Sequence, residues 1–417
     1  MLKNSEYAVA KEQYQYKFFG RCVLKVLIIG GGMAGLTYGI LSVKNGIETT
    51  ICERNARVGK KISQTGNGKC NIGNVNVSES CFNQSQIAKC VCQSITSDEY
   101  VKFLESCGIF TFADSVGRMY PLSESASNVV DCLRTRFEKF GGKFLTETEI
   151  TQVNRNAKGL WQADGCMGEF DKVILACGSG SGATSPNVFK IVPQKYFTVC
   201  VPSLVPLKIA NMDKQLNGLR AKANVSLLCD GAKIADEKGE VQFKDYGVSG
   251  ICIFNLSAQI ARRSVLGEKH RYQLTLDLVP LLLHEKLSAV LQARISSGES
   301  ADALFYGILH NKLAQSVVKR AANSLGGTSA KTLAETAKNF TLDVEKTLDF
   351  SMSQVTAGGI SERFLNTKTL ELPNGIVALG EILNVDGLCG GNNLYFAAAS
   401  ALYLFDESQR KLAYSNV

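Results

Sequence analysis

Three glycines near the start of the sequence have the spacing of a turn that binds a dinucleotide. Gly30, Gly32 and Gly35 form a G-x-G-x-x-G pattern directly after the apolar run Lys25–Ile29. The first glycine permits a sharp bend, the second lets the backbone approach a pyrophosphate, and the third lets a helix pack close to the strand. The free N–H groups at the N-terminus of that helix face the anion. The pattern therefore predicts dinucleotide binding.

An acidic residue follows at the end of the next predicted strand. Glu53 comes after 48–52 and can accept hydrogen bonds from a ribose diol. A glycine-rich turn in another kind of α/β protein is the alternative, but the strand before it, the helix after it and this acid favour a dinucleotide. The cations that follow, among them Arg54, Lys60 and Lys61, form either a solvated loop or contacts to cofactor phosphates.

Two further loops carry residues that bring backbone close to a ligand. The stretch 64–74 is too rich in glycine and asparagine for a strand or helix. Near the C-terminus, a strand at 376–381 leads through a polar glycine turn, 384–394, into a helix at 395–404. The two ends of the chain would then build one site. A dinucleotide that needs hydrogen bonds along a ribityl chain is FAD rather than NAD.

The sequence pattern between these two ends indicates an insertion in the cofactor-binding domain. A buried strand, 170–177, ends in small residues as a central strand beside a cofactor should. From about 195 to 255 short alternating strands indicate an antiparallel barrel or sheet. The pattern turns helical from 281 to about 338 and returns to strand at 340–350. We therefore expect helices inserted into a strand-rich domain.

Composition narrows the class of protein. The chain has 417 residues, 45% hydrophobic and 20% charged, which fits two or three globular domains. A net charge of +8 without a dense basic run predicts a solvated surface and no nucleic-acid partner. The 14 cysteines are scattered without a C-x-x-C pair and predict reduced thiols in the cytoplasm and no metal site. No apolar stretch is long enough for a membrane span.

Several longer motifs resemble the bacterial NAD(P)/FAD-dependent oxidoreductase family, which includes aminoacetone-oxidase-like flavoproteins and a bile-acid enone reductase of gut anaerobes. They are GGGMAGL, ERNARVGKKISQTGNGKCNIGN, YGVSG, SQVTAGG and GEILNVDGLCGGNNL, and the resemblance covers 25–405. It implies an α/β fold with a split, Rossmann-like FAD-binding domain of the two-dinucleotide-domain type, an inserted β-barrel and a nested helical subdomain. The implied bounds are 1–24 for an N-terminal extension, 25–194 and 353–417 for the FAD domain, 195–255 and 331–352 for the barrel, and 256–330 for the helical subdomain.

The resemblance and the motifs together assign cofactor-binding residues in three groups. The group at the first strands is Gly30, Gly32, Met33, Ala34, Gly35, Glu53, Arg54, Lys60 and Lys61. The group expected near the flavin and adenine is Gly66, Asn67, Gly68, Cys70, Asn71, Ile150, Ala176 and Gly178. The C-terminal group is Gly380, Glu381, Asp386, Gly391, Asn392, Asn393 and Leu394.

The expected activity is hydride transfer between FAD and a small organic substrate. The favoured reaction reduces an activated C=C bond, such as that of a steroid or bile-acid enone, with NAD(P)H as the electron donor. Since no second complete glycine motif is present, either the nicotinamide visits the flavin transiently or another donor reduces it. The alternatives are an aminoacetone-type amine oxidase that uses O2, and a protein whose FAD is structural. Tyr246 is the candidate proton donor, because His270, His284 and His310 all lie away from the flavin motifs. The oligomeric state is left open.

Overall fold

A five-stranded parallel sheet forms the centre of the fold. The structure is a computed structural model that describes residues 23–179, 191–406, 409, 410 and 414. Residues 1–22 of the predicted extension lie outside these ranges. In spatial order the strands of the sheet are β19 (Val377–Ala378), β10 (Lys172–Leu175), β1 (Lys25–Ile29), β2 (Glu48–Cys52) and β6 (Lys143–Leu145).

Helices from both ends of the chain pack around this sheet. β1 is almost wholly buried and apolar, as a central parallel strand must be. All twelve residues of α1 (Met33–Lys44) are buried, and α1 packs against the C-terminal helix α10 (Asn392–Leu402). The other helices of this part are α2 (Lys60–Ser63), α3 (Gln86–Ser94), α4 (Ser97–Ser106) and α5 (Ala126–Lys139).

Two small antiparallel sheets and a strand pair flank the central sheet. One sheet joins β3 (Gly73–Asn74), β5 (Arg118–Pro121) and β4 (Thr111–Ala113). The other joins β7 (Val153–Arg155), β8 (Trp161–Ala163) and β9 (Cys166–Phe170). β11 (Val201–Ser203) pairs with β18 (Val355–Ala357), so the chain leaves and re-enters this part through adjacent strands.

The inserted part is a closed six-stranded barrel. Its strands, in order around the barrel, are β12 (Leu207–Ile209), β15 (Gly247–Ser249), β14 (Ala232–Phe243), β13 (Arg220–Cys229), β16 (Tyr272–Asp277) and β17 (Phe340–Thr347). Alternate residues of β13 and β16 point inward, so the barrel has its own apolar core. The predicted fold class is confirmed.

Four helices accompany the barrel. They are α6 (Ile251–Val265), α7 (His284–Ser296), α8 (Asn311–Ala322) and α9 (Ala330–Lys338). The range 256–330, expected to be a helical subdomain, also contains β16, whose six residues pair with β13 and β17 in the barrel. β16 was missed because six residues between helical patterns give little periodicity. The other domain bounds stay predictions.

Among the described residues, the helices are all too short or too polar to cross a bilayer.

Candidate cofactor and substrate site

A large cavity lies where the carboxyl ends of the parallel strands, the C-terminal loops and the barrel meet. Its volume is about 1030 Å³. In open α/β sheets, ligands bind outside the carboxyl ends of the strands. The cavity is lined on one side by the glycine turn after β1 and on the other by residues of β13, β14 and α6.

The glycine turn presents open backbone to this cavity. Gly30 has φ +109°, and a Cβ there would stand 2.5 Å from the Ala176 carbonyl oxygen. A Cβ on Gly35 would stand 2.0 Å from the Gly30 carbonyl oxygen, so this glycine allows α1 to approach β1 but does not itself line the cavity. A Cβ on Gly32 would meet nothing closer than 4.0 Å, because it would project into the cavity. Gly30, Gly32, Met33 and Ala34 all line the cavity.

Glu53 is held rigidly beside the turn. Its Oε2 accepts a hydrogen bond from the Gly31 N–H at 3.0 Å. Its Oε1 accepts from the backbone N–H of Asn55 at 2.9 Å and from the Asn55 side-chain amide at 2.5 Å. A carboxylate has about four acceptor sites, so three protein donors leave capacity for a ligand hydroxyl. The side chain is 9% exposed and lines the cavity.

Arg54, Lys60 and Lys61 also line the cavity. Lys61 forms an ion pair with Glu381, which comes from the other end of the chain. Glu381 Oε1 accepts a hydrogen bond from the Thr356 N–H at 3.1 Å. The ion pair thus ties the turn after β2 to the C-terminal part of the site.

Asn71 joins the glycine-asparagine loop to the C-terminal loop. The Asn71 amide is oriented so that its oxygen and its nitrogen each have a hydrogen-bond partner. Its Oδ1 then accepts from the Gly391 N–H at 3.1 Å, and its Nδ2 donates to the Gly73 carbonyl at 3.0 Å. Gly391 is the residue directly before α10. Asn71 and Gly391 therefore place two loops, about 320 residues apart in the chain, at one wall of the cavity.

Other predicted residues of these loops divide between the cavity and the interior. Those that line the cavity are Gly66, Asn67, Ile150, Ala176, Gly178, Glu381, Asn393 and Leu394. Gly68 and Gly380 do not line it, and the Gly380 N–H donates to Ser400 Oγ at 3.0 Å. The Cys70 thiol is fully buried behind the loop, and burial raises its pKa to about 11. Contact between Cys70 and a ligand was therefore the wrong expectation, since its side chain packs into the core.

Asp386 and Asn392 also turn away from the cavity. Asp386 is 1% exposed, and its Oδ2 accepts from Arg262 Nε at 3.0 Å. Asn392 donates through Nδ2 to the Leu388 carbonyl at 3.1 Å, which stabilises its own loop. Asp386 and Asn392 were expected to bind the cofactor, but neither residue lines the cavity, because both side chains serve the conformation of the loop that precedes α10.

Tyr246 does not reach the cavity. It lies in the tight turn between β14 and β15, where the Gly247 N–H donates to the Lys244 carbonyl at 3.3 Å. Burial raises the pKa of the half-exposed Tyr246 hydroxyl, and Asp245 raises it further. Ser249 and Gly250, slightly further along the chain, do line the cavity, whereas Tyr246 in the turn does not.

The barrel supplies a wall that was not identified in the sequence. It consists of Arg220, Gln242, Ser249, Gly250, Ile251 and Phe254, together with the connecting residues 351–355. Arg220 and Gln242 are paired neighbours on β13 and β14, and Arg220 also forms an ion pair with Glu240 at 3.2 Å. The YGVSG and SQVTAGG motifs were the sequence signals near this wall, and the positions of Arg220 and Gln242 depend on strand register.

A thiol from the C-terminal loop and a phenol from β5 also reach the cavity. Cys389 Sγ lies 3.7 Å from Gln354 Oε1, and burial raises its pKa to about 12. It is therefore a neutral thiol at neutral pH. Tyr120 of β5 lines the cavity as well.

Comparison with known proteins supports one family across most of the chain. The HI0933-like protein Rossmann domain matches residues 24–250. The HI0933-like protein barrel and H2TH domain matches residues 201–355.

Two relatives of known name align with almost the whole chain. The 3-dehydro-bile acid delta(4,6)-reductase of Clostridium scindens is 29% identical over 90% of this chain and 97% of that protein. The ribosomal RNA dihydrouridine synthase of Haemophilus influenzae is 24% identical over 90% of this chain and 96% of that protein.

The solved structures that match this chain are more distant in sequence. The 3-ketosteroid-delta4-(5alpha)-dehydrogenase of Rhodococcus jostii RHA1 is 14% identical, with a TM-score of 0.43 over 96% of this chain and 98% of that chain. An open-conformation flavocytochrome c3 fumarate reductase is 13% identical, with a TM-score of 0.43 over 98% of this chain and 80% of that chain. The Rossmann-domain match alone spans more than half of this chain, so the chain belongs to the HI0933-like family. The family resemblance of its motifs is thereby confirmed.

Proposed function

We propose that this protein is an FAD-dependent oxidoreductase that reduces a carbonyl-conjugated C=C bond of a small organic substrate. The observation that carries the proposal is the continuous cavity that runs from the glycine turn to the barrel wall. Its volume of about 1030 Å³ is at the upper end of the ~300–1,000 Å³ usual for ligand pockets, which suits a dinucleotide beside a substrate.

The residues around the glycine turn fit FAD. The space beside Gly32 is open to the N-terminus of α1, where a pyrophosphate would accept hydrogen bonds from backbone N–H groups. Glu53 retains acceptor capacity for a ribose hydroxyl, and Ile150 lines the same end of the cavity for adenine. Asn71 and Gly391 would position the far end of the cofactor at the N-terminus of α10. When bound there, FAD supplies the two-electron redox chemistry.

The barrel wall would hold the substrate and exclude water. Ile251 and Phe254 offer apolar surface, and Arg220 and Gln242 offer hydrogen-bond donors for a substrate oxygen. Tyr120 and Cys389 also line the cavity and offer O–H and S–H groups that can carry a proton. Such a wall orients a substrate of mixed polarity against the cofactor, which is the protein's part in flavin catalysis.

The names of the relatives support this reaction class. One is a delta(4,6)-reductase and the other forms dihydrouridine, so both names describe the saturation of a C=C bond. The chain is an enzyme of the oxidoreductase class, as its motifs predicted. NAD(P)H is the proposed electron donor, and a nicotinamide would reach the flavin through the same cavity.

Anaerobic stopped-flow absorbance tests the proposal. Purified protein, loaded with FAD, is mixed with NADH or NADPH, and the bleaching of the visible flavin band is followed. The reduced protein is then mixed with steroid and bile-acid enones, small enoates, quinones and uridine. We expect bleaching by a nicotinamide and rapid reoxidation by at least one enone or enoate, with a product heavier by two hydrogens.

Three outcomes contradict the proposal. A protein that cannot be reconstituted with FAD contradicts the cofactor. A protein that forms peroxide from aminoacetone and O2, and is not reoxidised by any C=C compound, is the amine oxidase alternative. Flavin that exchanges no electrons with any donor or acceptor is structural.

A further inference from the structure

A second group of chemically active side chains lies at the end of the barrel opposite the cavity. The ten residues of β13 begin at the cavity with Arg220 and end with Cys229, so the two ends are about 30 Å apart. Cys229 is followed by Asp230 in the turn to β14, and His270 lies just before β16. One ligand atom from each of Cys229, Asp230 and His270 lies within 4.8 Å of the other two.

Backbone pairing holds these residues together. The Asp230 N–H donates to the Arg271 carbonyl at 2.9 Å, and the Arg271 N–H donates to Asp230 Oδ1 at 2.9 Å. Asp230 Oδ2 therefore faces His270, whose Nδ1 is 2.6 Å away. The turn and the start of β16 form one fixed unit, although 40 residues separate Asp230 from His270.

We propose that Cys229, Asp230 and His270 form a Zn²⁺ site, with Cys229 Sγ, Asp230 Oδ2 and His270 Nδ1 as ligands. Zinc prefers sulfur and imidazole nitrogen and accepts carboxylate oxygen, usually in tetrahedral geometry. Bond lengths of about 2.0–2.3 Å place tetrahedral ligand atoms about 3.4–3.6 Å apart. The Asp230–His270 distance of 2.6 Å must therefore lengthen by about 1 Å, and any distance to Cys229 near the 4.8 Å limit must shorten by about as much; Asp230 and His270 are both partly exposed.

Glu268 fits the role of an outer-shell partner. Its Oε2 lies 3.3 Å from His270 Nε2, the ring nitrogen that the metal does not use. A carboxylate that accepts this second N–H fixes the tautomer and the ring orientation of a metal-binding histidine. The same residue therefore leaves Nδ1 with a lone pair directed at Asp230 and Cys229.

Tyr272 provides an independent indication of a missing partner. It is 9% exposed, and its ring stands edge-on to His270 with centroids 6.1 Å apart. Its hydroxyl is buried and has no hydrogen-bond partner among the residues that the structure describes. A buried hydroxyl normally has a hydrogen-bond partner. A water molecule in the fourth coordination position of the metal would be a suitable partner for the Tyr272 hydroxyl.

The site joins the β13–β14 turn to β16, and its metal would be structural. It lies far from the flavin cavity, so its occupancy does not depend on the proposed reaction. The sequence offered no hint of it, because the ligands include no C-x-x-C pair and His270 lies 40 residues beyond Asp230 in the chain.

Titration of the full-length protein with Co²⁺ and Zn²⁺ tests the site after metal is removed with a chelator. Co²⁺ bound by a thiolate gives a sulfur-to-metal charge-transfer band in the near ultraviolet. We expect this band in the wild-type protein at one equivalent, its displacement by Zn²⁺, and a higher melting temperature with Zn²⁺. C229S should lose the band, H270A should lose tight binding, and E268Q should weaken binding about 10–100-fold.

C132S is the matched control, because Cys132 is also a partly exposed thiol but lies on α5, away from this group. It should bind Co²⁺ like the wild type. Circular dichroism of the metal-free variants separates lost ligands from lost folding. The proposal is overturned if the wild type gives no charge-transfer band, or if C229S and H270A bind Co²⁺ as C132S does. In that case, His270 is only an ion-pair partner of Asp230 and Glu268.

Discussion

Arg262 of the barrel helix α6 holds Asp386 of the C-terminal loop in a bidentate contact. Its Nε donates to Asp386 Oδ2 at 3.0 Å, and its Nη2 donates to the Asp386 carbonyl at 2.9 Å. The Asp386 side chain is 1% exposed and that of Arg262 is 21% exposed. This contact connects the barrel to the loop that precedes α10, and so fixes one wall of the cavity against the other.

Removal of Arg262 should therefore destabilise the whole protein. In Arg262→Ala the Asp386 carboxylate stays buried without its counter-charge, which costs about 3–5 kcal/mol for a buried pair. Urea unfolding followed by circular dichroism measures the loss. Arg263→Ala is the control, because within the part of the chain that the structure describes the Arg263 guanidinium donates only to the Gln259 carbonyl of its own helix, at 3.1 Å. Equal stability of the two variants would contradict this account.

Asp386 should also affect the pH dependence of stability. Burial raises its pKa above the ordinary value of 3.8, although Arg262 opposes the shift. The folded protein then binds the proton more tightly than the unfolded chain, so the contribution of Asp386 to stability falls as pH rises from 3.8 through the raised pKa. Above that pKa the contribution is constant. The measurement is the unfolding free energy of the wild type minus that of Asp386→Asn, as a function of pH. We expect this difference to fall over this window. A difference that rises with pH would contradict the raised pKa of Asp386.

Two glycines of the first turn should respond differently to alanine. A Cβ at Gly32 meets no atom closer than 4.0 Å, so Gly32→Ala should fold normally but retain FAD poorly, since the methyl group occupies the phosphate space. A Cβ at Gly35 stands 2.0 Å from the Gly30 carbonyl oxygen, so Gly35→Ala should lose about 1–3 kcal/mol of stability even without FAD. Thermal unfolding of the apoproteins and the flavin content after gel filtration separate the two effects. Normal FAD retention by a folded Gly32→Ala protein would contradict the phosphate assignment.

Glu53→Ala should weaken FAD binding by about 10–100-fold, because a hydrogen bond to a charged group contributes about 1.5–3 kcal/mol. The loss of the acceptor for the Gly31 N–H also loosens the turn. Fluorescence titration of the apoprotein with FAD measures the change. Glu48→Ala is the control on the same strand, since Glu48 forms an ion pair with Lys25 at 3.0 Å on the exposed side. Equal FAD affinities in the two variants would refute the ribose assignment.

The cofactor end of the site could be predicted because its signals are local. Gly30, Gly32 and Glu53 have roles set by backbone conformation and by position at strand ends, and these are visible in a short stretch of sequence. The C-terminal group was predicted less well. Asp386 and Asn392 have side chains of the right chemistry, but their direction depends on packing against Arg262 and on the loop's own hydrogen bonds.

The barrel wall and the Cys229 group could not be predicted from sequence, because both depend on strand register. Arg220 meets Gln242 through the pairing of β13 with β14, and Cys229 is brought beside Tyr272 by the pairing of β13 with β16. A register shift of one residue would move each side chain to the other face. The single short strand β16 decides both the barrel's closure and the position of His270.

Substitutions at Phe254 and Tyr246 should separate the cavity wall from its neighbouring turn. Phe254 lines the cavity and packs with Leu204 and Val355, so Phe254→Ala should lower kcat/KM for an apolar enone about tenfold or more, mainly through KM. Tyr246 lies outside the cavity, so Tyr246→Phe should change the same constant by less than about twofold. Anaerobic reoxidation of the reduced protein measures both, and flavin content should match the wild type in each. The opposite result would be slow reoxidation of Tyr246→Phe and normal reoxidation of Phe254→Ala. It would show that Tyr246 is the proton donor and that the substrate binds on the other side of the barrel.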